Sequence, residues 1–521
     1  MPDRLEGIAG TGLSEALLGI IIEEHQRRRV PRFELLWSYY RNPLEPTGAS
    51  DDRDNVAHAS SLARPRPRLI PAQARGLPDR LIGHRDLSED DRLRTQRELV
   101  IENDIAWRIQ TMVDFMFGAP VRIISAAPDE ARRAEIERVI DAIWEASGGV
   151  ALLQDMALLG HVFGTVDLVL RLNEHTLLTG GPRAFTEALA SGSPDALAEL
   201  LRIETIDPRR GAPVVSADDY RRLDGYVISF TRDLNDVDEK QPTPLQRRSR
   251  LAGLFGRPRR ERPRRRASEV TEVMAPGVRQ VYEGERLVRD DRSVLLPGIL
   301  PIAHVQNQSQ PLAYDGLGEV EPLMPLQDEL NTRLSDRANR VTMQSFKMYL
   351  AKRLEGFDRA PVGPGVVWST DDPEASIESF GGDAASPSET THIEQIREAM
   401  DKVSGVPPLA GGVVRARIGN LSSATALRIT LMSLLAKTAR KRVAYGAAIE
   451  RMTRLALTAL DASGAFRTTP DERALRLVWP DPTPVESRDA TQAARAKVEL
   501  GVDRGLVLDE LGYAPTDAGV A

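Results

Sequence analysis

Side chains that could do covalent or acid–base chemistry are sparse in this chain and badly spaced for it. The seven histidines, His25, His58, His84, His161, His175, His304 and His392, are scattered. None stands in the His-x-x-x-His or His-x-Glu setting that a metal site needs, so each reads as a structural or surface histidine. No Gly-x-Ser-x-Gly elbow occurs. The carboxylate neighbours Asp371-Asp372 fall in a turn, where such groups bond to backbone. A glycine-rich stretch lies between Gly405 and Ser423, but phosphate binding by an NTPase loop needs Gly-x-x-x-x-Gly-Lys-Ser/Thr. No such run exists, and no lysine occupies the stretch. Cysteine is absent, which excludes disulfides and thiolate metal sites and fits a reducing compartment. The chain is expected to have no catalytic residue, no metal and no cofactor.

Charge is the remaining means of acting on a ligand. Arg247, Arg248, Arg250, Arg257, Arg259, Arg260, Arg262, Arg264, Arg265 and Arg266 crowd one segment, punctuated by Pro242, Pro244, Pro258 and Pro263. Like charges this dense repel, and the segment has little apolar surface to bury, so a disordered insertion over about 240–268 is predicted. It is either a solvated loop between two strands or an arm that binds phosphates by releasing counterions. Phe255 is the one aromatic nearby, which argues against stacking on single-stranded bases. The net charge of −7 shows that the chain as a whole is not a generic polyanion binder.

The elements that must carry these residues are legible from periodicity. A chain of 521 residues with 41% apolar residues needs more than one packed unit. No apolar run approaches the roughly 18 residues of a membrane span, and no secretory signal pattern opens the sequence. Leu13, Ala16, Leu17, Ile20 and Ile21 form a helical stripe reaching His25, which Pro31 is expected to break. A second short helix then carries Phe33, Leu36, Trp37 and Tyr40, giving a docked hairpin. Residues 43–80, rich in Pro and Arg, read as an extended arm that either wraps a neighbour or links flexibly. Asn103, Ile105, Ile109, Met112, Val113 and Met116 predict a helix stopped by Gly118-Ala119-Pro120, followed by a strand over Val121–Ile124. Further helices are predicted over 129–146 and from Leu152. Strands are predicted over 160–172, 203–215 and 226–232, with a hairpin over 278–288 that turns at Glu283-Gly284. This part is a mixed helix-and-sheet unit.

From Glu319 to Leu460 the order is helix, small module, helix, glycine-rich loop, long helix. Gly316-Leu317-Gly318-Glu319 precedes a stripe of Leu326, Leu330, Leu334, Ala338 and Val341, with Asp328, Glu329, Arg333, Asp336, Arg337 and Arg340 on the opposite face. A helix over Pro322–Ser345 is about 36 Å long. Lys347–Ala351, Val366–Trp368 and Ile377–Phe380 suggest short strands around turns at Gly363-Pro364-Gly365 and Asp371-Asp372-Pro373. The second helix, about 389–403, carries Ile393, Ile396, Met400 and Val403. After the loop, Ser422 or Ser423 caps a helix to about Leu460. Leu427, Leu431, Leu434, Ala448, Met452 and Leu455 mark its buried side, and Lys437, Arg440, Lys441 and Arg442 form a basic band. Helices over 488–500 and 506–511 close the chain.

This order resembles the stem, clip, second stem helix, tunnel loop and wing helix of bacteriophage portal proteins, specifically the SPP1-type portal family. Supporting residues are Val113-Asp114, Gly118 and Pro120-Val121, the run Ala426-Leu427-Arg428, the Ala436-Lys437-Thr438 region, and more loosely Tyr39-Tyr40-Arg41-Asn42. The resemblance covers about 98–480 and is strongest after Pro301. The Arg-rich insertion and the extended arm depart from it. It implies a helix-rich α+β fold divided into N-terminal helices and arm (1–97), wing (98–318), first stem helix (319–345) and clip (346–388). The second stem helix (389–404), tunnel loop (405–423), long wing helix with a strand (424–483) and C-terminal helical crown (484–521) follow. It implies a non-enzymatic homo-oligomeric ring of twelve copies at one capsid vertex, through which double-stranded DNA passes during packaging and ejection. The implied partners are the terminase large subunit, a head–tail adaptor, and the major capsid and scaffolding proteins, with no membrane. The implied location is the virion of a phage or gene transfer particle, made in a bacterial host cytoplasm. Val413, Val414, Arg415, Arg417 and Asn420 become the DNA-facing residues of the tunnel loop. Asp328, Glu329 and Asp336 become candidates for the stem lumen, or else pair with Arg333, Arg337 and Arg340 across subunits. Trp368 and Phe380 become clip contacts. Twelve helices about 10 Å wide would enclose a lumen roughly 28 Å across. The alternative is a nucleic-acid-binding protein that acts through Arg259, Arg260, Arg264, Arg265 and Arg266 in the basic arm.

Overall fold

The computed structural model describes residues 13–46, 69–82, 98–172, 191–233, 267–284, 286–292, 296, 298–345, 348–352, 373–374, 376–380, 387–411, 424–482, 487–502 and 504–511. The N-terminal helix does not stop at Pro31. Helix α1 (Glu15–Glu24), one wide π turn (His25–Arg29) and α2 (Val30–Arg41) follow without a gap. Proline brings no N–H, so it fits the start of a helix, and Pro31 sits in the first turn of α2. The wide turn, closed by Val30 N–H to the His25 carbonyl, absorbs the interruption. The expected stripe is also split. Leu13 and Leu18 are buried on a sheet, whereas Leu17 and Ile20 face out. Phe33, Leu36 and Tyr39 of α2 enter the main core.

Helix α3 (Asp104–Phe117) is capped by Asn103, whose side chain accepts from Ala106 N–H. It ends at Gly118 as the glycine and proline require. Strand β1 (Arg122–Ser125) follows. Asp129 caps α4 (Glu130–Ala146), which buries Ile136, Val139, Ile140 and Ile143. Helix α5 (Gly149–Phe163) extends through Val162, where strand character was expected, and is terminated by Gly164 at φ 86°. Strand β2 (Thr165–Leu172) is then buried on both sides up to Leu170, so the expected alternation is absent.

Strands β3 (Leu201–Ile206), β4 (Gly211–Val215), β5 (Leu223–Asp233), β6 (Ala267–Ala275), β7 (Val278–Glu283), β8 (Arg286–Arg292) and β9 (Ile302–Gln306) complete two antiparallel sheets. One has the order β9-β2-β3, the other β8-β7-β6-β5-β4. The Arg-rich insertion connects the paired ends Asp233 and Ala267, and it lies outside the described residues.

Gly316 and Gly318 let the chain cross the end of α5 at backbone contact. A Cβ on Gly164 would meet the Gly316 carbonyl at 2.4 Å, and one on Gly318 would meet the Val162 carbonyl at 2.8 Å. That crossing sets Glu319 N–H on the His161 carbonyl at 2.7 Å. After a 3-10 turn (Glu321–Leu323) come α6 (Met324–Ser345), β10 (Met348–Lys352), β11 (Ser376–Phe380), α7 (Pro387–Ser404), α8 (Ala424–Thr430), α9 (Met432–Ser463) and β12 (Leu475–Val478). Strands β10 and β11 pair with each other, and β12 returns to pair with β1. Two helices, Ser487–Glu499 and Arg504–Glu510, end the chain. One core joins α2, α3, α4, α5, α9 and the β9-β2-β3 sheet. Tyr445 of α9 reaches so close to α5 that a Cβ on Gly160 would collide with its hydroxyl. Each such fully buried side chain contributes about 1.5–3 kcal/mol.

Candidate functional site

The most buried face of α6 is polar. Gln327, Asn331 and Ser335 are fully buried, whereas Leu326 and Leu334 are half-buried and Val341 faces solvent. Gln327, Asn331, Ser335 and Asn339 recur every four residues, on one side of the helix. They serve an extended segment, residues 98–103, as a neighbouring strand would, and the first turn of α3 beyond it. Asn339 accepts from Glu98 N–H and donates to its carbonyl, both at 2.9 Å. Ser335 does the same for Val100 at 3.0 and 3.3 Å. Asn331 accepts from Glu102 N–H at 3.0 Å, and Gln327 donates to the Glu102 carbonyl at 2.5 Å and accepts from Ile105 N–H at 3.2 Å. Four residues of helix advance about 6 Å and two residues of extended chain about 6.6 Å, so side chain and backbone stay in step. Gln73, also fully buried, links Asn331 to Asn103 and to the Tyr39 carbonyl. The sequence reading passed over this ladder; its signal was four uncharged polar residues at a strict spacing of four.

The three carboxylates assigned to α6 have partners within the subunit. Asp328 accepts from the Tyr39 hydroxyl at 2.9 Å. Burial pushes its carboxyl up, against that hydrogen bond. Glu329 meets Arg333 at 2.7 Å and His392 of α7 at 3.2 Å. Burial would raise its carboxyl, but those two hydrogen bonds hold it down. Asp336 meets Arg80 at 2.7 Å and Arg333 at 3.3 Å. Arg340 reaches Glu389 on α7. Helices α6 and α7 are therefore tied by ion pairs at one edge and by Ile393, Ile396 and Met400 on the inner face.

Where the glycine-rich loop leaves α7, the expected basic band is not a band. Lys437 and Lys441 point inward and share one carboxylate, Glu319, each at 2.6 Å. Glu319 is 1% exposed. Lys437 also donates to the Ser404 carbonyl at 2.7 Å, and Gln308 donates to Glu319 at 2.7 Å. Burial would raise the Glu319 carboxyl, but Lys441 and then Lys437 outweigh it and hold it at about 2. Burial pushes the Lys441 ammonium down to about 8 against the pull of Glu319. Burial and then Lys441 push the adjacent His161 down to about 3, so it is neutral. Arg442 turns to the Phe115 and Pro480 carbonyls and lies over Trp479. Arg440 alone of the four is exposed. Beside this cluster the buried Arg108 pairs with Asp401 at 2.7 Å and donates to the Val406 carbonyl at 3.0 Å. A Cβ on Gly411 would meet the Trp107 ring at 2.3 Å. The near root of the loop is thus clamped from α3, α9 and the 316–319 crossing.

A second buried network lies under β9. Asp167 accepts from Tyr226 at 2.7 Å, from Tyr314 at 2.6 Å and from His304 Nδ1 at 2.7 Å. His304 Nε2 faces the Tyr314 carbonyl at 2.8 Å. Both ring nitrogens meet acceptors, which requires the imidazolium. Burial would lower the His304 pKa, but the Asp167 charge and hydrogen bond raise it above the usual value.

The tunnel-loop candidates Val413, Val414, Arg415, Arg417 and Asn420 lie outside the described residues, as do Arg259, Arg260, Arg264, Arg265, Arg266 and Trp368. Phe380 is placed only by its backbone, opposite Met348. Among the described residues no group of three or more His, Asp or Glu could hold a metal, and no helix is long and apolar enough to cross a membrane.

The stretch that holds the two tied helices, the loop root and the long core helix is covered by one family model. Residues 283–505, somewhat under half the chain, match the family described as phage portal protein, SPP1 Gp6-like. Among solved structures, a chain from the virion of a native gene transfer agent (GTA) particle is similar over 78% of this chain and 89% of its own, at 13% identity and a TM-score of 0.38. That likeness is too slight to carry an argument about this chain. No curated protein matches the sequence.

Proposed function

We propose that this chain is the subunit of a portal: a ring at one capsid vertex through which double-stranded DNA passes during packaging and ejection. The observation that carries the reading is the family match over the segment that holds α6, α7 and α9, whose geometry suits a conduit wall. Helix α6 has 22 residues and α7 has 18, so each is a rod about 27–33 Å long. On this reading α6 and α7 are the stem, β10 and β11 the clip, 405–423 the tunnel loop, and α9 the wing helix.

Val413, Val414, Arg415, Arg417 and Asn420 of the loop face the passing duplex, and Asp328, Glu329 and Asp336 brace the wall behind it. The α6 carboxylates are already held by Tyr39, Arg333, His392 and Arg80, so the wall keeps a fixed shape. The partners are a second copy on each side, a terminase that supplies the ATP work, a head–tail adaptor, and capsid and scaffolding proteins. Negative-stain microscopy of the purified protein tests this: rings with a central hole are expected, twelve-fold as the family resemblance implies. A protein that stays monomeric or dimeric at high concentration refutes it. Deleting residues 247–266 leaves rings intact if the chain is a portal. If it acts instead through the Arg-rich segment, the same deletion removes nucleic-acid binding.

A further inference from the structure

Of the two tied helices, α6 is sheathed by its own subunit. Between Leu326 and Arg340 only Arg337 is exposed. The polar ladder holds residues 98–103 along one flank. Asp328 and Asp336 hold Tyr39 and Arg80 on the next. Glu329 and Arg340 turn to α7, and Leu330 enters the core. Little of α6 is left to meet anything outside the subunit.

Helix α7 keeps one side free. Ile393, Ile396 and Met400 enter the core, and Glu389 and His392 turn to α6. Arg397 pairs with Glu102, and Asp401 with Arg108. What remains is a stripe. Ser388, Thr391, Gln395, Glu398 and Lys402 recur at steps of three and four, with Glu394 beside them, and all are exposed. The stripe is about 21 Å long. It holds no apolar residue, because Val403 is turned about 100° away from Lys402 and about 180° away from Glu394. Glu394, Glu398 and Lys402 have no ion-pair partner among the described residues.

A face of this composition is a poor seat for another protein. Interface cores are depleted in charge and rich in aromatic and apolar side chains, and burying unpaired charges costs free energy. A passing duplex asks for the opposite: a surface that keeps its water and offers the phosphates no set of cations to hold. Two glutamates and one lysine leave the stripe with a net charge of −1. The stripe also ends where the loop begins. Beyond Lys402 the Ser404 carbonyl is held by Lys437, and at Gly405, φ 70°, the chain leaves the helix for the residues assigned to the tunnel loop.

We infer that α7, and not α6, forms the inner surface of the stem, with Ser388, Thr391, Glu394, Gln395, Glu398 and Lys402 facing the duplex across a layer of water. The inference rests on the portal reading and deepens it by naming the face that DNA passes. Helix α6 stands behind as the brace that fixes α7 to the body of the subunit.

The chain contains no cysteine, so an introduced one reports alone. Full-length Gln395→Cys and Glu398→Cys, each at an exposed position, are assembled into rings and treated with two reagents. One is a small maleimide. The other carries the same group on a short tether to a globular protein of about 500 residues, about 60 Å across and too wide for a passage roughly 28 Å across. In rings the small reagent should label both variants fully, and the large one should label them at least tenfold more slowly than it labels the denatured chain. Rings labelled readily by the large reagent put the stripe on the outside. Rings labelled by neither reagent put it between copies, as does failure of both variants to assemble when the wild type does. Each of these results overturns the assignment to α7 while the portal reading stands. A wild-type chain that never forms rings overturns both.

Discussion

Replacing Glu319 by Gln removes one charge and almost no volume. Two lysine ammonium groups then face each other in the core without a counter-ion. In the wild type the carboxyl is moved from 4.5 to about 2, worth about 3 kcal/mol at about 1.4 kcal/mol per tenfold. Its pKa is lowered on folding, so this stability is present above pH 4.5 and is lost as pH falls through 2. Lys441 moves from 10.5 to about 8, and holding it protonated at pH 7 costs about the same. The intact cluster is therefore close to neutral in net stability, as buried ion groups often are, but loss of one partner is not. The variant should lose about 3–5 kcal/mol at pH 7. The loss should also depend on pH. Without Glu319 the Lys441 pKa falls below 8, so the folded variant binds fewer protons than the folded wild type below that pH. The variant then gains on the wild type as pH rises towards 8, and the gap stays level above it. Urea unfolding followed by tryptophan fluorescence, at fixed protein concentration and at pH 6, 7, 8 and 9, measures this. A loss under about 1 kcal/mol at pH 7, or a gap that does not narrow between pH 6 and 8, refutes the account of Lys437 and Lys441 as a buried pair on one carboxylate.

Asn331→Ala leaves the Glu102 N–H and the Gln73 side-chain oxygen without a partner and should cost about 1–3 kcal/mol. Hydrogen exchange at Glu102 should accelerate while α4 is unaffected. The His304 pKa is raised on folding, so its stabilisation is complete below pH 6.5 and is lost as pH rises through the higher folded value. His304→Asn should remove that pH dependence from the thermal midpoint. Gly164→Ala places a methyl 2.4 Å from the Gly316 carbonyl at φ 86°, and the strained backbone should lower stability by at least about 1–3 kcal/mol, seen as a lower urea midpoint.

What the sequence shows of this molecule is what repeats within one element. Apolar residues at three- and four-residue steps placed α3, α4, α7 and α9, because a helix buries a stripe whatever it packs on; the same steps placed α6, whose most buried face is polar. Contacts between distant segments were hidden. Lys437 and Lys441 read as a surface band because lysines on a helix are usually solvated, and their carboxylate lies 118 residues earlier. Gln327, Asn331, Ser335 and Asn339 resembled a wet face, since nothing local announces that residues 98–105 will lie along them. Pro31 looked like a break because a single wide turn leaves no mark in composition. The residues assigned to the tunnel loop came from resemblance alone, and no packing constraint within the subunit marks them.

The helix that stands in for a strand carries a limit of its own. Its rungs advance about 6 Å while the bound backbone advances about 6.6 Å, so the two scales slide like a vernier. Each rung adds roughly 0.6 Å of offset, and after three steps the accumulated error of about 2 Å is comparable to the reach of a hydrogen bond. Four rungs are therefore close to the greatest length such a splint can have, and Asn103 turns the chain into α3 where the scales part. One residue inserted between Glu98 and Glu102 would throw every rung above it out of phase.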